Sequence, residues 1–335
     1  MNFEFFIGID VSKSELDFAV MHGKDQLFHR EIVNTPESIS SFINELKKLK
    51  GFKLEKAVFC MEHTGIYTAH LLSCLHKKKV SLCLEPATQI RNSLGNIRGK
   101  NDKIDAIRIA EYACKNHEYL TLWAPKRLVI QRLASLATTR ARLIKAKNTL
   151  TVALAESKSF LPKEILKKDS SLCNPSIKAM ESDLQRIDKA VDEIIASDPE
   201  LTRLFALVTS VSGIGKVTAT HIIITTNEFK DINDPKKYAC YSGVAPFAKE
   251  SGLFKGKASV SHMANKKVKT LLHMSALVAI QHNSDLKEYY RRKVDLDKKN
   301  KMSVLNAVRN KLILRIFACV RENKLYEKKY AKLVA

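Results

Sequence analysis

The sequence predicts an α/β domain followed by a long helical segment and a mostly helical C-terminal domain. Three observations predict it. Short apolar runs alternate with amphipathic stretches over the first 126 residues. Glycine disappears between 127 and 195 while apolar residues step by three and four. Glycine, serine and lysine return after Asp198-Pro199. At 335 residues the chain exceeds one typical core, and the expected segments are 1–126, 127–198 and 199–335.

Residues 3–9 and 15–21 read as two strands joined by a polar turn, a hairpin whose first strand ends on Asp10. Residues 36–50 read as a helix, with Thr35 as N-cap, Pro36 in the first turn, and Ile39, Phe42, Ile43 and Leu46 on one face. A short apolar strand, 56–62, ends on Glu62; the helix "TAHLLSCLHKKK" and a strand at 80–86 follow. This alternation predicts buried parallel strands. Residues 102–117 form a helix with Ile104, Ile107, Ile109, Ala110 and Ala113 on its apolar side.

In the second segment Ile177, Met180, Leu184, Ile187, Val191 and Ile194 follow the a/d spacing of a coiled-coil seam. A less regular run covers Val129 to Leu154. The break at "SFLPKEILKKDSSLCNP" predicts two long helices and a loop, an antiparallel hairpin or dimerising arm; ordinary helices packed on a core are the alternative. Beyond it, "SGIGKVTA" (212–219) reads as a helix–hairpin–helix.

The net charge of +22 and pI near 9.6 call for a polyanionic partner. Nucleic acid leads, and a membrane surface is second. From Leu201 onward 26 Lys and Arg face 10 Asp and Glu, a net of +16, which places the polyanion mainly against the C-terminal part. No apolar run reaches the ~18 residues of a spanning helix, and "MNFEFFIGID" lacks the marks of a signal peptide. Seven scattered cysteines without C-x-x-C spacing argue against structural zinc and against a disulfide framework. Reduced thiols in the cytoplasm are expected.

Asp10 and Glu62 end strands, and ligands gather at the carboxyl ends of strands in open α/β sheets. Asp102 and Asp105, at i and i+3, project from one face of a helix about 5–6 Å apart. If that helix packs its first turn over the strand ends, four carboxylates converge. Hard oxygen ligands of that density suit Mg²⁺ or Mn²⁺, and two ions ~3.5–4 Å apart clamp a phosphodiester. Each acid alone also reads as a turn former, a helix-start acid or a loop acid. Together their strand–strand–helix order is that of ribonuclease-H-like nucleases.

In the C-terminal segment Gly213 and Gly215 allow backbone N–H groups to approach a phosphate, with Lys216 and a helix N-terminus behind them; a plain turn is the competing reading. Ser251, in "KESG", sits in a segment expected to be flexible, among Lys249, Lys255, Lys257, Lys266, Lys267 and Lys269. A hydroxyl among cations is suited to attack a phosphodiester, although serines of this kind usually just make turns. Ser242, Ser259 and Ser261 compete for the role. His262 and His273 are near in sequence, without a readable triad.

The order "GIDVSK", "MEHTG", "KNDKIDAIRIAE", "VSGIGKVTA" and "YSGVAPFAKESG" followed by a basic helix resembles the Asp-Glu-Asp-Asp insertion-sequence transposases, a family that includes the pilin-gene DNA invertases. The resemblance runs from about 5 to 280. It implies a Holliday-junction-resolvase-like N-terminal domain of ribonuclease-H fold, with the tetrad on Asp10, Glu62, Asp102 and Asp105. It also implies a coiled-coil dimerisation arm, and a C-terminal domain whose nucleophile falls on Ser251 rather than Ser242. Implied partners are donor and target DNA, a structured bridge RNA and further copies of the chain, from dimer to tetramer, with active sites shared between protomers. A bacterial cytoplasmic, nucleoid-associated protein with no membrane contact is expected. The sequence departs at Ser261-His262-Met263-Ala264-Asn265, where the family shows Ser-Lys/Arg-x-Gly-Asn/His; Lys266 and Lys267 are the substitute cations. A site-specific invertase, a metal-dependent junction endonuclease with no covalent step, and a non-catalytic nucleic-acid-binding protein are the alternatives.

Overall fold

The structure is a computed structural model that describes residues 2–63, 65–93, 101–252 and 254–327, without the side chains of Lys249, Phe254, Lys255 and Lys257. The chain divides into two compact units, 1–125 and 126–335.

The first unit is built on a five-stranded sheet. Its strands are β1 (Phe5–Val11), β2 (Glu15–His22), β3 (Asp25–Val33), β4 (Ala57–Glu62) and β5 (Ser81–Glu85), in the order β3-β2-β1-β4-β5. β1, β4 and β5 run parallel, while β2 and β3 are antiparallel additions. The sheet is therefore mixed: β1 and β2 form the expected hairpin, and β1, β4 and β5 the expected parallel strands. β3 was not expected at all: as an edge strand it is largely exposed and its sequence, DQLFHREIV, carries no continuous apolar run.

Alternation along the strands divides the core. Phe5, Ile7, Ile9 and Val11 of β1 face α1 (Pro36–Leu46) and α2 (Ala69–Lys77), where Ile39, Phe42, Ile43, Leu46, Leu71 and Leu75 are buried. Thr35 caps α1 as expected, its Oγ1 accepting from Ser38 N at 3.3 Å. The opposite face, with Phe6, Ala19, Met21, Val58, Cys60 and Cys83, packs on α3 (Ala87–Ser93) and α4 (Asp102–Lys115) through Ile90, Ala106, Ile109, Ala110 and Ala113. Three layers result, with the sheet in the middle.

Gly8 sets the distance between β1 and α4. A Cβ there would lie 2.1 Å from Ala106 O and 2.3 Å from Ala110 N, so the helix backbone rests directly on the strand. Gly8→Ala is expected to lose about 1–3 kcal/mol in denaturant unfolding, as overpacked cores do. Because it lifts α4 from the strand end, it is also expected to lower activity more than its stability loss explains.

The second unit opens with α5 (Leu128–Ser157) and α6 (Lys163–Ser197), two long helices running antiparallel. Arg140 pairs with Asp188 and, further out, Lys147 pairs with Glu181. The connection is short, and Pro175 lies inside α6 rather than in a loop, so the expected break at 159–175 is confined to its first residues. At the base, Ile130, Leu133, Val191 and Ile195 enter a core shared with α7 (Pro199–Thr209), α8 (Lys216–Thr226), α9 (Pro235–Tyr241), α10 (Lys266–His282), α11 (Ser284–Arg291) and α12 (Lys301–Glu322). Arg127 fastens the start of α5 by bonding both oxygens of Asp198, the N-cap of α7, and the buried Glu228. One hairpin, β6 (Pro246–Ser251) and β7 (Phe254–Val260), interrupts the helices. Ser251, expected in a flexible segment, thus ends a strand.

His221 of α8 is held neutral. Burial, then Lys267 and Arg140, push its pKa down to about 4. A histidine depressed in the fold contributes stability that is complete above its unfolded value of ~6.5 and is lost as pH falls through about 4. The expected result is a thermal midpoint that declines between those values in the wild type and declines less in His221→Gln, followed by melting across a pH series.

Candidate functional site

Asp10 and Glu62 lie on the α4 side of the sheet, by the alternation that puts Phe6, Val58 and Cys60 there. The parallel register pairs Ile9 with Met61, so the next step along both strands brings Asp10 level with Glu62. α4 passes over this point with its first turn. Asn101 caps that turn, its Oδ1 accepting from Ile104 N at 2.7 Å, and Asp102 and Asp105 belong to it. Gly8, two residues before Asp10 on the same face, fixes how closely the turn can approach.

The electrostatics record this gathering. Asp10 is partly buried, and its pKa is pushed up to about 6, first by burial and then by the charges of Asp102 and Asp105, with Glu62 adding to them and a hydrogen bond from Val11 N opposing. Asp105 also accepts from Arg108 Nη1 at 2.9 Å. Among the described residues no three His, Cys, Asp or Glu side chains stand close enough to enclose a metal ion. The donor chemistry nonetheless suits a hard divalent cation: all oxygen, with Asp102, Asp105 and Glu62 adding negative charge beside the partly buried Asp10.

Two neighbours on this face escaped the sequence reading. Asp17, the cross-strand partner of Asp10 on β2, is buried and accepts from His29 Nε2 at 2.7 Å. Glu85 ends β5 as Glu62 ends β4, and burial raises its pKa. The signal for both was available in the hairpin register and the strand-end position. Both acids lie outside the stretches "GIDVSK", "MEHTG" and "KNDKIDAIRIAE".

In the second unit Ser251 is exposed at the outer end of β6, followed by Gly252 at φ +55°. Its competitors are differently placed. Ser242 is fully buried and donates to Ala239 O at 3.3 Å. Ser261 Oγ accepts from Met263 N at 3.1 Å. Ser259 is exposed on β7, opposite Phe247. Lys249, Lys255 and Lys257 sit on the two strands, and their side chains lie outside the described residues. Lys266 is exposed in the first turn of α10. Lys267 instead reaches Ala137 O of α5 at 3.4 Å, and burial and Arg140 lower its pKa.

The turn between α7 and α8 lies where the helix–hairpin–helix is expected. Gly213, at φ +92°, faces α10; a Cβ would lie 2.5 Å from Ser275 O, so packing alone requires glycine there. Gly215 is the N-cap of α8 and has open space around it. Lys216 is engaged by Asp192 of α6.

Among the described residues no helix is long and apolar enough to cross a membrane. Residues 7–157 match the profile of one transposase family, that of the Asp-Glu-Asp-Asp transposases of the IS110 type, and residues 205–291 match a second, described as the transposase IS116/IS110/IS902 family. The pilin gene-inverting protein of Moraxella bovis is 26% identical over 334 residues, covering 97% of this chain and 98% of that protein. Its counterpart in Moraxella lacunata is 26% identical over 278 residues, 80% of this chain and 81% of that one. The IS110 "uncharacterized 43.6 kDa protein" of Streptomyces coelicolor is 22% identical over 152 residues, 45% of this chain and 36% of its own length. With both profiles matched in order over the two units, the chain belongs to the IS110/IS116/IS902 family of transposases, DNA recombinases of insertion elements.

Proposed function

We propose that the protein cleaves and rejoins DNA strands with Ser251 as nucleophile, assisted by a divalent cation at Asp10, Glu62, Asp102 and Asp105. The observation that carries this reading is the placement of Asp10 level with Glu62 beneath the first turn of α4, where burial and then the charges of Asp102, Asp105 and Glu62 raise the pKa of Asp10. The four carboxylates would hold Mg²⁺ or Mn²⁺, which when bound supplies charge neutralisation at a phosphate.

The remaining chemistry belongs to the chain. Ser251 Oγ attacks phosphorus, the Oγ–P bond forms, and the bond to one strand oxygen breaks. The serine proton leaves with that oxygen as a strand hydroxyl. Attack by the hydroxyl of a partner strand reverses the exchange and restores the serine. The phosphodiester energy is kept in the phosphoserine, so no nucleotide cofactor is consumed. The exposure of Ser251 and the burial of Ser242 support this choice of nucleophile. The acids and Ser251 of different protomers serve one strand, and the helical arm, read as a coiled-coil contact, joins those protomers. A bridge RNA selects donor and target, with Gly213, Gly215, Lys216, Lys249, Lys255, Lys257, Lys266 and Lys267 on nucleic-acid backbone.

The test is capture on a nicked suicide substrate. Denaturation after incubation with Mg²⁺ is expected to leave a protease-sensitive protein–DNA adduct; cleavage with no adduct at any time means that water is the nucleophile, as in a junction endonuclease. RNA guidance predicts that exchange is lost on RNase treatment and restored by RNA from the element's noncoding end. Inversion is the second reading, favoured by similarity to pilin gene-inverting proteins over 97% of this chain in one case and 80% in the other. Exchange confined to inverted sites on one molecule distinguishes it.

A further inference from the structure

Two cations near the root of the β6–β7 hairpin, Lys269 and Arg309, meet no carboxylate among the described residues. Asn265, Lys269 and His273 recur every four residues on α10 and so share one face. Asn265 joins this face to the chain before the hairpin: its backbone N donates to Tyr241 O and its Nδ2 to Tyr241 Oη, both at 2.8 Å. Gly243, at φ +65°, lies against the Lys269 side chain, and a Cβ there would be 3.6 Å from Lys269 Nζ. From α12, Asn306 Nδ2 donates to Val244 O at 2.7 Å. Arg309, one turn on, donates to Asn306 Oδ1 at 3.3 Å and to His273 Nδ1 at 2.6 Å.

Arg309 is only 5% exposed, its Nε has no hydrogen-bond partner, and none of its contacts is an acid. Lys269 makes no ion pair among the described residues. Buried guanidinium groups are ordinarily matched by an anion. The contact also fixes the chemistry of His273. A guanidinium only donates, so Nδ1 must accept and the ring proton sits on Nε2. The neighbouring positive charge opposes a second proton, and the pKa of His273 is lowered accordingly, with burial the larger cause. His273 is thus arranged as a neutral Nε2–H donor, unsuited to act as a base.

We infer that Lys269 and His273, backed by Arg309, form a receptor for a backbone phosphate of the DNA strand at the root of the hairpin. β6 separates this point from Ser251 by five residues, about 17 Å of strand. The phosphate held is therefore one flanking the cleavage point, and the contact fixes strand register without reading sequence. DNA is favoured over RNA because the family recombines DNA. The inference rests on the proposed function only for which phosphate is flanked.

The experiment is equilibrium binding of the full chain to a random-sequence DNA duplex by fluorescence anisotropy over a salt series. Lys269→Gln is expected to weaken binding about five- to tenfold and to reduce the slope of log K against log salt by about 0.9, one phosphate contact. His273→Leu is expected to weaken binding with the slope unchanged, since it removes a neutral donor. Lys189→Gln on the arm, where Lys189 pairs with Glu193, controls for the loss of one charge and should change neither. Melting curves identify any variant that fails to fold, and Lys269, half-exposed, gives a variant whose fold does not depend on Arg309. Wild-type affinity and slope in a folded Lys269→Gln, or an equal drop in Lys189→Gln, overturn the inference. So does a loss seen with single-stranded RNA and absent with DNA. The slope change standing without covalent capture by the wild type would leave the receptor intact and remove Ser251 from the chemistry.

Discussion

Asp10→Asn is expected to reduce Mg²⁺-dependent strand exchange by at least about a hundredfold and, without metal, to raise the thermal midpoint near neutral pH. Loss of activity with a gain of stability is what separates a site residue from a structural one. The fold lifts the pKa of Asp10 from 3.8 to about 6. The stabilisation belonging to the protonated form is therefore complete below 3.8 and is lost as pH rises through about 6. Above that, the fold carries an ionised carboxylate that is partly buried and lies in the field of Asp102, Asp105 and Glu62, and asparagine removes both penalties. Solvent screening keeps the gain small, about 1–3 °C. It should vanish by about pH 4, where the wild-type acid is already protonated. Melting from about pH 4 to 8 in EDTA, beside an exchange assay, reads both effects. Undiminished exchange, or a midpoint that falls at neutral pH, would remove Asp10 from the proposed centre.

Ser251→Ala is expected to abolish covalent DNA capture and to lower exchange by at least about a thousandfold, with folding and nucleic-acid binding retained. Ser251 is exposed at a strand end and has few contacts to lose. Ser242→Ala makes the complementary comparison. Its hydroxyl is buried and bonded to Ala239 O, so its removal should cost about 1 kcal/mol of stability and leave capture intact. Denaturing gels of protein trapped on a suicide substrate distinguish the pair. Capture by Ser251→Ala at the wild-type level would refute the assignment, and capture lost only in Ser242→Ala would transfer it.

The elements that position the acids were legible because their burial is written in local pattern. β1, β4 and β5 are short apolar runs with Asp10 next to the last residue of β1 and Glu62 and Glu85 at the ends of β4 and β5, and α1 carries its cap and stripe openly. What escaped depends on contacts distant in sequence. β3 is an edge strand whose polar residues pay no penalty in solvent. Pro175 looked like a break, yet the helix continues through it, and pairs to α5 such as Lys147–Glu181 follow in the next turns. The hairpin around Ser251 read as flexible because Gly, Ser and Lys dominate it, whereas cross-strand pairing defines it. The placement of Asp102 and Asp105 beside Asp10 was expected from order alone. The contact at Gly8, where no side chain intervenes between strand and helix, lets the first turn of α4 come close enough for their charges to act on Asp10. That Arg309 meets no carboxylate among the described residues has no signature in sequence, since nothing local reveals it.

The most direct test of the four-carboxylate centre is thermal melting of the full chain at about pH 7.5 with MgCl₂ or MnCl₂ against EDTA. A cation that binds the folded state stabilises it in proportion to the logarithm of its concentration over its dissociation constant. The account predicts a midpoint that rises with either metal in the wild type and rises much less in Asp10→Asn and Glu62→Gln. No metal-dependent rise in the wild type, or the same rise in all three proteins, would contradict it.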